Sequence, residues 1–417
     1  MTAIGAIIGL LVAILLIIKK VSPCYSLIVG ALLGGLIGGF GLTGTVSSMI
    51  GGIKDITPAI IRILAAGVLS GVLIQTGAAE SIAKGFIRAM GAKHIYWALA
   101  LSTLFLSAVG VFIDVAVITV APIALLIARQ TGHSESKLLL MMIGGGKAGN
   151  IISPNPNTII AAENFGADLY SVMMANIIPA IVGLLFTVLV LSRLFHDRVS
   201  DKIELNVNES ISNRALPSFL SSVSGPLVAI ILLALRPICG IVIDPLIALP
   251  AGGLAGLLCM RKHTMWQQSL TLGLEKMAPI AILLVGTGAL AGIVKDSSLT
   301  EYLVAAISNI SGGKYLIAPL AGILMSGATA STTAGATIAS SSFAPTITQM
   351  GISNVWGAAM VNVGATVIDH LPHGSFFHAT GGSMERSFRE RLHLVPYESL
   401  VALVMTIVSV VCCYIFH

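Results

Sequence analysis

Three ionisable residues of this 417-residue chain, Asp114, Lys147 and Asp369, lie inside long apolar runs. A charge at bilayer depth costs at least ~2.5 kcal/mol, so each calls for a partner or a function. Asp114 and Asp369 are of the type that coordinates sodium or carries a proton, and both are candidate cation-coupling residues. Lys147 could pair with either or meet a substrate carboxylate; a purely structural aspartate–lysine ion pair is the plainer reading. His370 and His373 add imidazoles that titrate near neutrality, able to relay protons or only to hydrogen-bond nearby backbone.

Proline interrupts the chain beside two of these residues. In GNIISPNPNT (149–158), Pro154 and Pro156 remove two backbone donors and disfavour helix just before them. Asn150, Ser153, Asn155, Asn157 and Thr158 are thereby left to bind solute or ion. In TVIDHLPHGS (366–375), Pro372 and Gly374 break the helix beside Asp369, His370, His373 and Ser375. Two further segments, SAVGVFIDVAVIT (107–119) and SGATASTTAGAT (326–337), read as hairpin turns whose small residues admit close backbone approach. The second places Ser331, Thr332 and Thr333 at its tip. Short helices starting at such turns aim dipole-positive N-termini at an anion. Proline kinks and small-residue stretches also occur for packing alone, but four polar interruptions at paired positions favour one central site.

The elements that must hold these residues are membrane spans. Hydrophobic residues make up 56% of the chain and charged ones 10%, with a mean hydropathy of +0.96; soluble domains carry roughly 25% charged residues. Runs such as Ile4 to Ile18, Ser26 to Phe40, Tyr170 to Leu191 and Val395 to Ile415 approach or exceed the ~20 residues that cross a hydrocarbon core. Irregular backbone at that depth needs shelter inside protein or a wet cavity. The first run has no basic region before it and reads as a retained span. A net charge of +5 does not point to nucleic acid, because the cations are scattered over short loops. The five cysteines show no ligand spacing, so no disulfide, metal cluster or cofactor is expected.

The only long hydrophilic stretch, 193–214, divides the chain into a first repeat (1–192), a linker (193–216) and a second repeat (217–417). A shift of 221 positions lays Pro58 on Pro279, Gly67 on Gly288 and Gly71 on Gly292. A shift of 218 lays GKAGNIISPNPNT on GATVIDHLPHGSF. Lysines and arginines collect on the cytoplasmic side of short loops. Placing Lys19, Lys20, Lys84, Arg88, Lys93, Arg129, Lys137, Arg193, Arg261, Lys262, Arg386, Arg389 and Arg391 there makes the linker cytoplasmic and both termini extracytoplasmic. The second half then runs opposite to the first. The expected fold class is an all-α polytopic membrane protein of two inverted-topology repeats, each with scaffold spans, a re-entrant hairpin and a broken helix.

This layout resembles the ion transporter superfamily and, within it, the gluconate permease family of cation-coupled carboxylate transporters. The hairpin SGATASTTAGAT and the two broken segments carry the resemblance, which extends over essentially the whole chain. It implies a homodimer in the bacterial inner membrane, a fixed scaffold, a moving transport domain, and coupling to protons or sodium. The expectation is therefore import of a small organic anion, a sugar acid or hydroxycarboxylate, by elevator-type cation symport. Asn150, Ser153, Asn155, Asn157, Thr158, Ser331, Thr332, Thr333, His373 and Ser375 would contact the anion. Asp114, Asp369, Lys147 and His370 would serve coupling, with the two aspartates as possible sodium ligands. The rival is a sodium/proton antiporter of the same superfamily. An intramembrane hydrolase is disfavoured, since neither GxGD nor HExxH occurs.

Overall fold

The computed structural model describes residues 2–91, 94–195, 216–299, 313–372 and 374–416, so Lys93, His373 and linker residues 196–215 lie outside the described residues. Every regular element among the described residues is helical. The first half runs α1 (Ala3–Ile18), α2 (Pro23–Ile37), α3 (Gly41–Gln75), α4 (Ala78–Met90) and α5 (Ile95–Ala108). It continues through α6 (Ile113–Thr131), α7 (Glu135–Ile151), α8 (Pro156–Asn164), α9 (Leu169–Ala175) and α10 (Ile177–Leu185), whose helical path extends to Leu194. The second half holds α11 (Phe219–Cys239), α12 (Pro245–Cys259), α13 (Trp266–Lys295) and α14 (Lys314–Thr329). Then follow α15 (Thr332–Gln349), α16 (Asn354–Gly364), α17 (Ser375–Ser383) and α18 (Phe388–Phe416).

Four stretches, Gly41–Gln75, Leu169–Leu194, His263–Lys295 and Phe388–Phe416, are long and apolar enough to cross a membrane. Large apolar side chains such as Ile4, Leu15, Leu220, Ile407 and Phe416 stand exposed on the outer surface, where lipid rather than water suits them. This is a membrane protein.

Local chemistry explains where the helices start and stop. Pro23, Pro156 and Pro245 occupy first helical positions, where a missing N–H costs nothing. Ser134, Asn155, Asp168, Ser331 and Ser353 cap their helices through side-chain oxygens. The expected interruptions are all present: α5 and α6 form one hairpin, α14 and α15 another, and breaks separate α7 from α8 and α16 from α17.

Helices α3 and α13 cross antiparallel at the centre of one layer, with α2 against α13 and α12 against α3. The hairpins and broken pairs form a second layer, in which α5 packs on α7 and α15 on α8 and α16. Glycine makes the crossing possible. A Cβ on Gly52 would overlap the backbone of Gly288 and Gly292, and one on Gly273 would overlap Gly67. Likewise Gly292 lies against Ser48 and Gly71 against Ser269. Each contact maps onto another by the same displacement of 221 residues, so the crossing has local two-fold character.

Adjacent glycines provide a test. Gly51 faces open space. Gly52→Ala should lower the thermal midpoint of the detergent-solubilised protein, reflecting a cost of about 1–3 kcal/mol. Gly51→Ala should leave it unchanged or raise it slightly. Equal effects at the two positions would contradict this packing.

Candidate functional site

Helix α7 is buried along its length except at Lys137, and glycine permits that burial: Gly145 and Gly149 lie directly against the backbone of Ala100 and Leu104 in α5. Its last turns therefore carry Lys147 and Asn150 deep into the protein. The Lys147 ammonium is fully enclosed and donates to Asp369 Oδ1 at 2.5 Å and to the carbonyl of Thr366, and it lies 3.0 Å from His370 Nδ1. Thr332, the first residue of α15, donates its hydroxyl to the other oxygen of Asp369. One ion pair thus joins the end of α7, the break after α16 and the tip of the second hairpin.

Around it the charges are matched. Two of the three N–H donors of the Lys147 ammonium are taken by the Asp369 carboxylate and the Thr366 carbonyl. His370 Nδ1 lies against both members of the pair, 2.9 Å from Asp369 Oδ1 as well as 3.0 Å from the ammonium, and the ring reaches Val395 O, 3.0 Å away, through Nε2. Ser399 Oγ lies 3.2 Å from the same nitrogen, and Glu398 Oε2 approaches Nδ1 to 3.9 Å. Glu398 is paired with buried Arg391 (3.1 Å between Nη2 and Oε2), whose Nε donates to Thr380 Oγ1 at 3.1 Å.

The first break is an amide cluster. Asn155 caps α8, its Oδ1 accepting from the N–H and the hydroxyl of Thr158, both at 3.1 Å. Its Nδ2 donates to Asn150 O at 2.8 Å and Asn150 Oδ1 at 2.6 Å. Asn362 Nδ2 in α16 donates to Thr158 Oγ1 at 3.1 Å, and Thr333 Oγ1 donates to Asn157 Oδ1 at 2.8 Å. Asn150 Nδ2, Ser153 Oγ, Asn157 Nδ2 and Asn362 Oδ1 are buried without a hydrogen-bond partner among the described residues. An unsatisfied buried polar group costs ~1–3 kcal/mol, so an oxygen-rich solute or ordered water is the expected complement.

Beside this cluster a cleft of about 830 Å³ opens between the two layers. Asp114, Thr329, Ser331, Thr333 and Ser375 line one wall; Glu275, Lys276 and Pro279 of α13 line the other. Asp114 sits half-buried in the first turn of α6. Its Oδ1 accepts from the Val115 N–H at 2.9 Å, and no cation pairs with it among the described residues. The N-termini of α6, α15 and α17 all reach this cleft. The hairpin tip turns at Ala330 with φ +45°, a left-handed conformation costing a non-glycine residue roughly 1–2 kcal/mol. Gly374 allows that tip to approach, since a Cβ there would overlap Ala330 O.

The residues marked by the sequence fall into three neighbouring groups. Lys147, Asp369, His370 and Thr332 form the ion-pair group. Asn150, Ser153, Asn155, Asn157 and Thr158 form the amide cluster, and Asp114, Ser331 and Ser375 line the cleft. Thr333 links the last two groups. Lys147 pairs with Asp369 and not with Asp114. Arg391, read from the sequence as a cytoplasmic loop cation, is instead buried with Glu398, a partner two turns along the same helix face. Sequence reading also missed Arg62, Glu275 and Lys276, although charges within apolar helices were the signal that found Asp114. Arg62 bridges Asp244, 2.7 Å from Nη2, and Glu163.

The sequence pattern of the GntP family of permeases matches residues 1–416. A Haemophilus influenzae protein described as an uncharacterized transporter is 56% identical over 410 residues, 98% of this chain and 97% of that one. The high-affinity gluconate transporter of Escherichia coli is 24% identical over 89% of this chain and 90% of its own length. A gluconate permease of Pseudomonas aeruginosa is 30% identical over 56% of this chain and 53% of its own. The crystal structure of the Alcanivorax borkumensis YdaH transporter, described as having an unusual topology, superposes with a TM-score of 0.66 over 96% of this chain and 98% of that one. At 16% identity this likeness is one of fold.

The buried pair makes a double-mutant prediction. Lys147→Met should destabilise the detergent-solubilised protein by about 3–5 kcal/mol, because Asp369 is left buried without its counter-charge. Adding Asp369→Asn should restore much of that loss in thermal denaturation. Purely additive losses would show that the two residues are not coupled.

Proposed function

The chain belongs to the GntP family of permeases, and on that premise we propose that it imports a small organic anion, a sugar acid or hydroxycarboxylate, by symport with a proton or sodium ion. Its family is one of transporters, so the chain is a permease and not an enzyme. The names of the gluconate-carrying relatives support the solute class.

The observation that carries the reading is the contrast between the two aspartates. Asp369 already faces the Lys147 ammonium inside the protein, whereas Asp114 opens into the cleft without a cationic partner among the described residues. An arriving carboxylate and a bare Asp114 repel each other, so each is bound more readily when a cation sits on Asp114. Reciprocal linkage makes the same coupling favour cation binding once the anion is present. Asp114 is accordingly the primary coupling residue. Lys147, Asp369 and His370 hold the broken segments and hairpin tip together as one body.

Neutral donors supply the rest of the solute site. The buried, unpartnered groups of Asn150, Ser153 and Asn157 suit hydroxyl and carboxylate oxygens, with Ser331, Thr333 and Ser375 at the cleft. Asn155, Thr158 and Thr332 act through the geometry of that loop and tip.

Alternating access follows from inverted repeats meeting at this site. The two-fold character of the α3–α13 crossing and the paired hairpins and breaks support that arrangement. In it, α5–α8 and α14–α17 move as an elevator against the α3–α13 layer of a homodimer, with both termini extracytoplasmic. The antiporter alternative is disfavoured by the family and its gluconate-transporting relatives.

In proteoliposomes with radiolabelled gluconate, Asp114→Asn should reduce accumulation driven by a proton or sodium gradient by about tenfold or more, while solute exchange without a gradient persists. Undiminished gradient-driven accumulation by this variant would remove Asp114 from the coupling role.

A further inference from the structure

Glu275 and Lys276 lie well inside the 30-residue helix α13, one turn before its internal Pro279. Both side chains are exposed, both line the 830 Å³ cleft, and neither has an ion-pair or hydrogen-bond partner among the described residues. Adjacent helical residues do not face one another, so the two charges do not neutralise each other. A lysine within an apolar helix is costly unless it faces water or a ligand. The opposite wall offers Asp114 and the hydroxyls of Ser331, Thr333 and Ser375, and Lys276 is the sole lysine or arginine among the described residues lining this cleft.

The displacement of 221 residues carries Glu275 and Lys276 onto Lys54 and Asp55 in α3, one turn before Pro58. There Asp55 is already engaged by Lys295 at 2.7 Å. The α13 pair has no such internal partner, which leaves its charges for a solute.

We propose that Lys276 is a specificity-determining residue of the cleft, receiving the carboxylate of the transported anion, and that Glu275 beside it selects hydroxylated monocarboxylates against dicarboxylates. This rests on the transport reading above. With the coupling cation on Asp114, Lys276 is the one side-chain cation among the described lining residues left for the solute; a second carboxylate on the solute would meet Glu275 with no cation remaining. The solute's hydroxyls can instead donate to Glu275 in charge-assisted hydrogen bonds.

The test uses the full-length protein in proteoliposomes with radiolabelled gluconate, and glucarate as dicarboxylate competitor. Loss of a charge-assisted contact predicts that Lys276→Gln raises the KM for gluconate by about tenfold with kcat little changed, and that Lys276→Arg restores it. Glu275→Gln should strengthen competition by glucarate. Unchanged KM in Lys276→Gln, or unchanged glucarate competition in Glu275→Gln, overturns the corresponding assignment.

A second readout needs no transported solute. Native Cys24 lines the same cleft. With Cys239, Cys259, Cys412 and Cys413 replaced by serine, Cys24 should favour an anionic over a cationic thiosulfonate reagent more strongly with Lys276 present than in Lys276→Gln. If the parent protein carries no gluconate, the choice of solute fails, and the labelling ratio decides Lys276: an unchanged ratio overturns its role. Equal thermal midpoints for parent and variants separate these effects from misfolding.

Discussion

The ion pair between Lys147 and Asp369 is the constraint on which the site's geometry rests. Each of the two broken segments carries backbone groups that helix cannot satisfy, and neither break would hold its shape in lipid alone. The pair locks them to each other: the ammonium also takes the Thr366 carbonyl, and the carboxylate also takes the Thr332 hydroxyl at the hairpin tip. Burying two charges is expensive, and the further bonds to the Thr366 carbonyl and the Thr332 hydroxyl help offset that cost. His370 and the Glu398–Arg391 pair continue that matching into α18, so the last helix is tied to the same body.

The other layer is held by a different kind of force. Helices α3 and α13 approach closely enough at Gly52, Gly67, Gly273 and Gly292 that a methyl would collide with backbone, and close packing stands in for the hydrophobic effect that lipid does not supply. Steric fit fixes the crossing, whereas electrostatic pairing fixes the site. This difference suits the proposed division into a static crossing and a mobile site-bearing body. Few strong polar bonds need to break when the layers slide, while those inside the mobile body remain intact. Arg62 is the notable exception, since it joins α3 to Glu163 at the end of α8 as well as to Asp244. In the proposed cycle its bond to Glu163 must open as α8 moves.

Much of this was legible in the sequence because proline and glycine act locally. Pro154, Pro156, Pro372 and Gly374 mark breaks wherever the rest of the chain goes, and the hairpin turns near Gly110 and Ala330 follow from small-residue stretches. Partner choice was not legible. Lys147 is separated from Asp369 by 222 positions, and nothing in either segment distinguishes that pairing from one with Asp114. Asn155 looks as available for a solute as Asn157, yet its Oδ1 caps α8 and its Nδ2 donates to Asn150, and only the three-dimensional turn reveals it. Arg391 resembled a loop cation because its neighbours Arg386 and Arg389 are of the same type. Its burial depends on Glu398 and Thr380 arriving from along α18 and from α17.

The distribution of charge and neutral polarity also bears on selectivity. Within the amide cluster the unpartnered groups are neutral: two amide nitrogens, a hydroxyl and an amide oxygen. Asp114, Glu275 and Lys276, which have no ion-pair partner among the described residues, stand at the cleft. A solute whose hydroxyls enter the cluster while its carboxylate stays at the cleft would satisfy both regions. A solute lacking the hydroxyls would leave buried amides unpaired, a stronger penalty than losing a contact in an apolar pocket. In the proposed reading, discrimination among hydroxy acids would belong to Asn150, Ser153 and Asn157, and discrimination by charge to the residues facing the cleft. Because the two sets sit on different elements, each can change its preference without rebuilding the other.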